Sequence, residues 1–206
     1  RCDALFVASC LPPSDDSYRE LQAKGLPIIA LDRSMDPEVF CSVISDDQPA
    51  SLELTRSLLD LKPANIALIG ARAELSVSQA RASGFDQALH AFNGKVSQYQ
   101  GDAFSRECGR ELMSQLLAEQ GRLPDALVTT SYVLLQGVFD VLSTRPADSR
   151  ALHLGTFGDT QLLDFLPLPV NAMAQQHGLI ADTALQLALA AVEQKHYQPC
   201  LLYTSD

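Results

Sequence analysis

The chain has 206 residues, of which 47% are hydrophobic and 19% charged, with a net charge of −10 and a pI of about 4.7. That composition is enough for one large core or two small ones. It excludes a bare nucleic-acid-binding surface, because an acidic chain repels phosphate backbones, and no apolar run approaches the roughly 18 residues that a membrane-spanning helix needs.

The chain opens as a strand over residues 4–8, with neither an initiator Met nor a signal peptide, and is read as a piece of a longer protein. A helical pattern over 17–24 follows, then apolar runs over 27–31 and 42–44. Next come a helix over 50–61, a strand over 66–69, and helices over 78–92 and 104–119. The series ends with strands over 126–129, 152–155 and 170–173 and helices over 132–143 and 179–193. Continuous apolar strands between amphipathic helices predict an α/β fold with a parallel sheet covered on both faces. Seven strands fit either one domain or two small Rossmann-like lobes. A helix ends near Lys62-Pro63-Ala64-Asn65 and a new strand–loop–helix series begins, so the lobe change is placed there. Residues 1–62 then form the first lobe and 63–199 mainly the second, while Cys200 to Asp206 reads as a tail with no evident partner.

The strongest local feature is Glu74-Leu-Ser-Val-Ser-Gln-Ala-Arg-Ala-Ser-Gly-Phe85, which follows the run Ile66-Ala-Leu-Ile-Gly70. Ser76 and Ser78 are expected to cap the helix, since their hydroxyls can accept free first-turn amide protons. Arg81 then sits about one turn in, near the C-terminal edge of the sheet, where open α/β sheets bind ligands. A guanidinium there suits a phosphate. Two other presumed strand ends carry charge, Asp32-Arg33 and Gly158-Asp159. Arg33 and Arg81 match phosphate oxygens, and Asp32 and Asp159 can accept from sugar hydroxyls. Together these groups describe a sugar phosphate. Each also has a blander reading. An Asp-Arg pair after a strand is more often a solvated turn, an arginine on a helix is more often exposed, and Gly-Asp is more often only a turn.

The five cysteines form no CxxC pair and are odd in number, which reads as reduced thiols in a cytoplasmic protein. The four histidines lie at no metal-ligand spacing to them, so neither zinc nor another cofactor is expected. Walker-A, GxGxxG, GxSxG and HExxH signatures are missing, which favours a binding module over an enzyme.

Leu31-Asp-Arg33, Glu74 to Arg81, Asp125-Ala-Leu-Val-Thr-Thr-Ser131, Leu135-Gln-Gly137 and Thr156-Phe-Gly-Asp-Thr-Gln-Leu-Leu-Asp-Phe165 resemble the effector-binding domain of LacI/GalR-family regulators. The resemblance covers residue 1 to about 199. It implies a type I periplasmic-binding-protein-like fold: two lobes with parallel sheets, crossover segments near 160–180, and a truncated N-terminal lobe. It places effector contacts on Asp32, Arg33, Arg81 and Asp159, with a polar contact at Ser131 and an aromatic near Phe104. The effector it implies is fructose 1-phosphate, with fructose 1,6-bisphosphate as a second candidate. The implied protein is a cytoplasmic homodimer or homotetramer that represses or activates genes of carbon metabolism. Its helix-turn-helix headpiece and hinge helix are not among these residues, so the chain alone is expected not to bind operator DNA. The last seven residues depart from the family pattern. Two other readings stay open: a periplasmic-type sugar-binding protein, which an upstream signal peptide would reveal, and a sugar-phosphate enzyme, which turnover would reveal.

Overall fold

The computed structural model describes residues 2–9, 11, 15–158, 161–193 and 197–204. In chain order its elements are β1 (Leu5–Val7), α1 (Ser17–Ala23), β2 (Ile28–Leu31), β3 (Cys41–Ser45), α2 (Asp47–Leu59), β4 (Asn65–Ala71) and α3 (Ser76–Ala88). They continue with β5 (Lys95–Gly101), α4 (Arg106–Gln120), β6 (Ala126–Thr129), α5 (Tyr132–Leu142), β7 (His153–Phe157), β8 (Val170–Met173), α6 (His177–Glu193) and β9 (Cys200–Thr204). The chain forms two compact units, Arg1–Asp46 with Gln176–Asp206, and Asp47–Gln175.

The second unit is built on a parallel sheet of order β5-β4-β6-β7-β8. All seven residues of β4 and all four of β6 are buried, which explains their unbroken apolar sequence. Alternate residues feed two cores. Ile66, Leu68, Ala126 and Val128 meet Leu54 and Leu58 of α2 and Phe85 of α3. Ala67, Ile69, Leu127 and Leu154 meet Met113 and Leu116 of α4 and Leu134, Leu135 and Val138 of α5. Burying each such side chain contributes about 1.5–3 kcal/mol.

Glycines let the helices on each face approach closely. A Cβ on Gly137 would lie 2.0 Å from the Arg106 carbonyl oxygen, and one on Gly109 would lie 2.1 Å from that of Leu134. Backbone cannot swing aside as a side chain can, so Gly137→Ala is expected to lower unfolding stability by about 1–3 kcal/mol. Urea unfolding of the variant would show this as a lower midpoint. An unchanged midpoint would mean that α4 and α5 are not so closely apposed.

The first unit carries a parallel sheet of order β1-β2-β3-β9. On one face, Ile180, Ala184 and Ala188 of α6 pack against Ile29, Cys41 and Val43. On the other, Val7, Ile28, Ala30 and Phe40 gather Tyr18, Met35 and Val39. The Tyr197 hydroxyl donates to the Ile28 carbonyl at 2.6 Å and accepts from the Cys41 amide at 2.7 Å, tying the chain after α6 to two strands.

Four sequence expectations change. The division falls before α2 rather than near Lys62, because the apolar face of α2 belongs to the core around Phe85. In the same way α6, expected with the second lobe, packs in the first unit. The sequence Lys95-Val-Ser-Gln-Tyr-Gln-Gly101, read as no element, is β5, an edge strand in which only Tyr99 is buried. The residues expected to have no partner form β9, which pairs with β3 in the register Cys41↔Cys200.

Candidate functional site

In the second unit β4 leads through α3 to β5 on one side, and the chain then returns through α4 to β6 on the other. The two helices cover opposite faces. The carboxyl ends of β4 and β6 therefore mark the switch point at which open α/β sheets bind ligands.

Arg81 lies there, but not as an exposed cation. It is 6% exposed. Its Nε donates to Asp47 Oδ1 at 2.7 Å, and Nη2 lies 2.7 Å from the same oxygen. Nη1 donates to the Thr130 carbonyl at 2.7 Å, just past the end of β6. The guanidinium carbon sits 4.2 Å from the centroid of the Phe157 ring, at the end of β7. Asp47 is the first residue of α2, where the helix dipole favours a carboxylate. The Ser51 hydroxyl of α2 donates to the Arg81 carbonyl at 2.6 Å and fixes the two helices in register. The pair as a whole is neutral and largely desolvated, so it offers directed donors and an acceptor rather than net positive charge. That arrangement suits hydroxyl groups better than a phosphate dianion.

Neither serine expected to cap α3 does so. Ser76 is the helix's first residue, Leu75 holds the N-cap position, and the Ser78 hydroxyl donates to the Ala71 carbonyl at 2.7 Å, closing the strand–helix turn. Arg72 begins that turn with φ 52°, and its Nε donates to Glu74. This hydrogen bond holds the Glu74 carboxyl below the usual carboxylate range. On the neighbouring strands the Thr129 hydroxyl donates to the Thr156 hydroxyl at 2.8 Å.

The other expected residues divide by unit. Ser131 is the N-cap of α5, its hydroxyl accepting from the Val133 amide at 3.3 Å. Phe104 is half-buried against the α4–α5 core. Asp159 lies outside the described residues. Asp32 and Arg33 belong to the first unit, directly after β2. Asp32 takes φ 62° and donates its amide to Val43 at 3.1 Å. Arg33 Nη1 donates to the Ser9 carbonyl at 3.4 Å, across the end of β1. Asp47, Thr130 and Phe157 were missed. The available signal for Asp47 was its place shortly after a strand, the feature that singled out Asp32. Among the described residues no group of His, Cys, Asp and Glu is arranged to hold a metal ion, and no helix is long and apolar enough to cross a membrane.

Residues 1–145 match the family described as periplasmic binding proteins and sugar binding domain of LacI family. The fructose operon regulatory protein of Vibrio cholerae serotype O1 is 47% identical over 198 residues, covering 96% of this chain and 60% of that protein. The catabolite repressor/activator of Escherichia coli K12 is 38% identical over 196 residues, covering 93% of this chain and 58% of its own length. The chain thus spans about 60% of the length of these relatives. Among solved structures, the Cra transcriptional dual regulator of Pseudomonas putida in complex with fructose 1-phosphate is 72% identical with a TM-score of 0.94, covering 98% of this chain and 75% of that one.

Proposed function

The chain belongs to the family of periplasmic binding proteins and LacI-type sugar-binding domains, and from that membership we propose that it is the effector-sensing part of a DNA-binding transcription regulator of carbon metabolism. Its effector is fructose 1-phosphate, with fructose 1,6-bisphosphate as a weaker second. The observation that carries this reading is the 72% identity, over 98% of the chain, to a regulator solved in complex with fructose 1-phosphate. The two regulators compared by sequence point the same way, and neither is an enzyme. Operator DNA is engaged through a headpiece that these residues do not include, in a cytoplasmic homodimer or homotetramer.

The residues proposed to hold the effector are Asp32, Arg33, Arg81 and Asp159, with Ser131 and Phe104 beside them. The Arg81–Asp47 pair is assigned to sugar hydroxyls. Charged hydrogen bonds contribute about 1.5–3 kcal/mol each. A few of them, less the cost of association, reach roughly micromolar affinity. An effector that favours one conformational state shifts the DNA-binding equilibrium by its differential affinity for the two states.

Calorimetric titration of the full-length protein with fructose 1-phosphate, fructose 1,6-bisphosphate and fructose tests the assignment. The expected order is tight binding of the monophosphate, weaker binding of the bisphosphate and none of fructose. Equal affinity for fructose, or no affinity for the monophosphate, would overturn it.

A further inference from the structure

Thr130 follows β6 and is 2% exposed, and its hydroxyl has no hydrogen-bond partner. Both backbone groups are engaged. Its amide donates to the Ile69 carbonyl at 3.0 Å, extending the β4–β6 ladder by one residue, and its carbonyl receives Arg81 Nη1 at 2.7 Å. That extension also sets the direction of the side chain. Ala126 and Val128 point into the core shared with α2 and α3, and strand alternation carries Thr130 to the same face as Arg81 and Phe157. The adjacent hydroxyls are satisfied within the protein, Thr129 by Thr156 and Ser131 as a helix cap. Arg81 also has capacity left. Its contacts with Asp47 and Thr130 use three of the five N–H groups of a guanidinium.

A buried hydroxyl without a partner destabilises a fold, and native proteins hold few of them. Valine has the same shape without the hydroxyl, so packing gives no reason for threonine here. Resting on the effector reading above, we infer that Thr130 is a specificity-determining residue whose hydroxyl pairs with a sugar hydroxyl of the bound effector. The oxygen is covered by protein in this structure, so the pairing requires this edge of the sheet to open beside Arg81 when the effector binds. The pairing favours a polyol phosphate over a bare phosphate at this edge of the sheet.

The test compares Thr130→Val and Thr130→Ser in the full-length protein, by thermal unfolding without ligand and by calorimetry with fructose 1-phosphate. Thr130→Val is expected to melt higher than the parent and to bind about tenfold more weakly, whereas Thr130→Ser keeps the parent's affinity. Parent-like affinity in Thr130→Val overturns the inference. Weaker affinity together with a lower melting temperature marks a packing defect and also overturns it. Failure of the parent itself to bind fructose 1-phosphate removes the effector reading instead, so the two failures are distinguishable.

Discussion

Arg81→Ala is expected to lower the stability of the second unit by about 3–5 kcal/mol and to abolish effector binding. The size follows from burial. The substitution removes the guanidinium that is hydrogen-bonded to the Asp47 carboxylate, itself 6% exposed, and losing one partner of a buried ion pair is strongly destabilising. It also removes the guanidinium from the Thr130 carbonyl and from the Phe157 ring. Adding Asp47→Asn to Arg81→Ala is expected to recover part of the stability, because no buried charge then remains, but none of the affinity. Urea unfolding and calorimetry on the two variants would separate these effects. A loss below about 1 kcal/mol in Arg81→Ala would mean that the pair is effectively solvated. Arg81→Lys is a poor control, since a single ammonium cannot reach the carboxylate and the carbonyl as the planar fork does.

Much of the fold was legible because its strands are buried on both faces. Runs such as Ile66-Ala-Leu-Ile and Ala126-Leu-Val-Thr fit little else, and their alternation with amphipathic helices specifies a parallel sheet. Legibility failed where burial failed. β5 lies at the sheet edge, and its Ser97, Gln98 and Gln100 give no apolar signal. β9 is defined by its pairing with β3, more than 150 residues earlier in the chain. Arg81 stood out in the sequence as a strand-end arginine, but its partner did not. Asp47 is 34 residues away, and an aspartate opening a helix is explained locally by the helix dipole alone. An arginine that suggested phosphate by itself is therefore paired with a carboxylate that its own neighbourhood in the sequence does not show.

Gly84→Ala is expected to damage the site more than the fold. A Cβ at Gly84 would lie 2.2 Å from the Gln48 carbonyl oxygen and 2.9 Å from the Leu52 amide nitrogen, so the first turns of α2 must move away from α3. Asp47 immediately precedes Gln48, Arg81 is three residues before Gly84, and the Ser51–Arg81 hydrogen bond spans the same crossing. Displacing α2 therefore lengthens the Asp47–Arg81 contact, and interactions of this kind depend steeply on distance and angle. The stability loss should be about 1–3 kcal/mol, with effector affinity reduced by at least tenfold. Gly109→Ala is the matched control. Its Cβ would meet the Leu134 carbonyl at 2.1 Å, an equally tight clash, but on the opposite face of the sheet from the Asp47–Arg81 contact. It should lose comparable stability and retain effector affinity at temperatures where it is folded. If both variants lose affinity in proportion to their stability, binding responds to the integrity of the unit as a whole. If only Gly84→Ala does, the α2–α3 crossing sets the geometry of the Asp47–Arg81 pair and that pair takes part in binding.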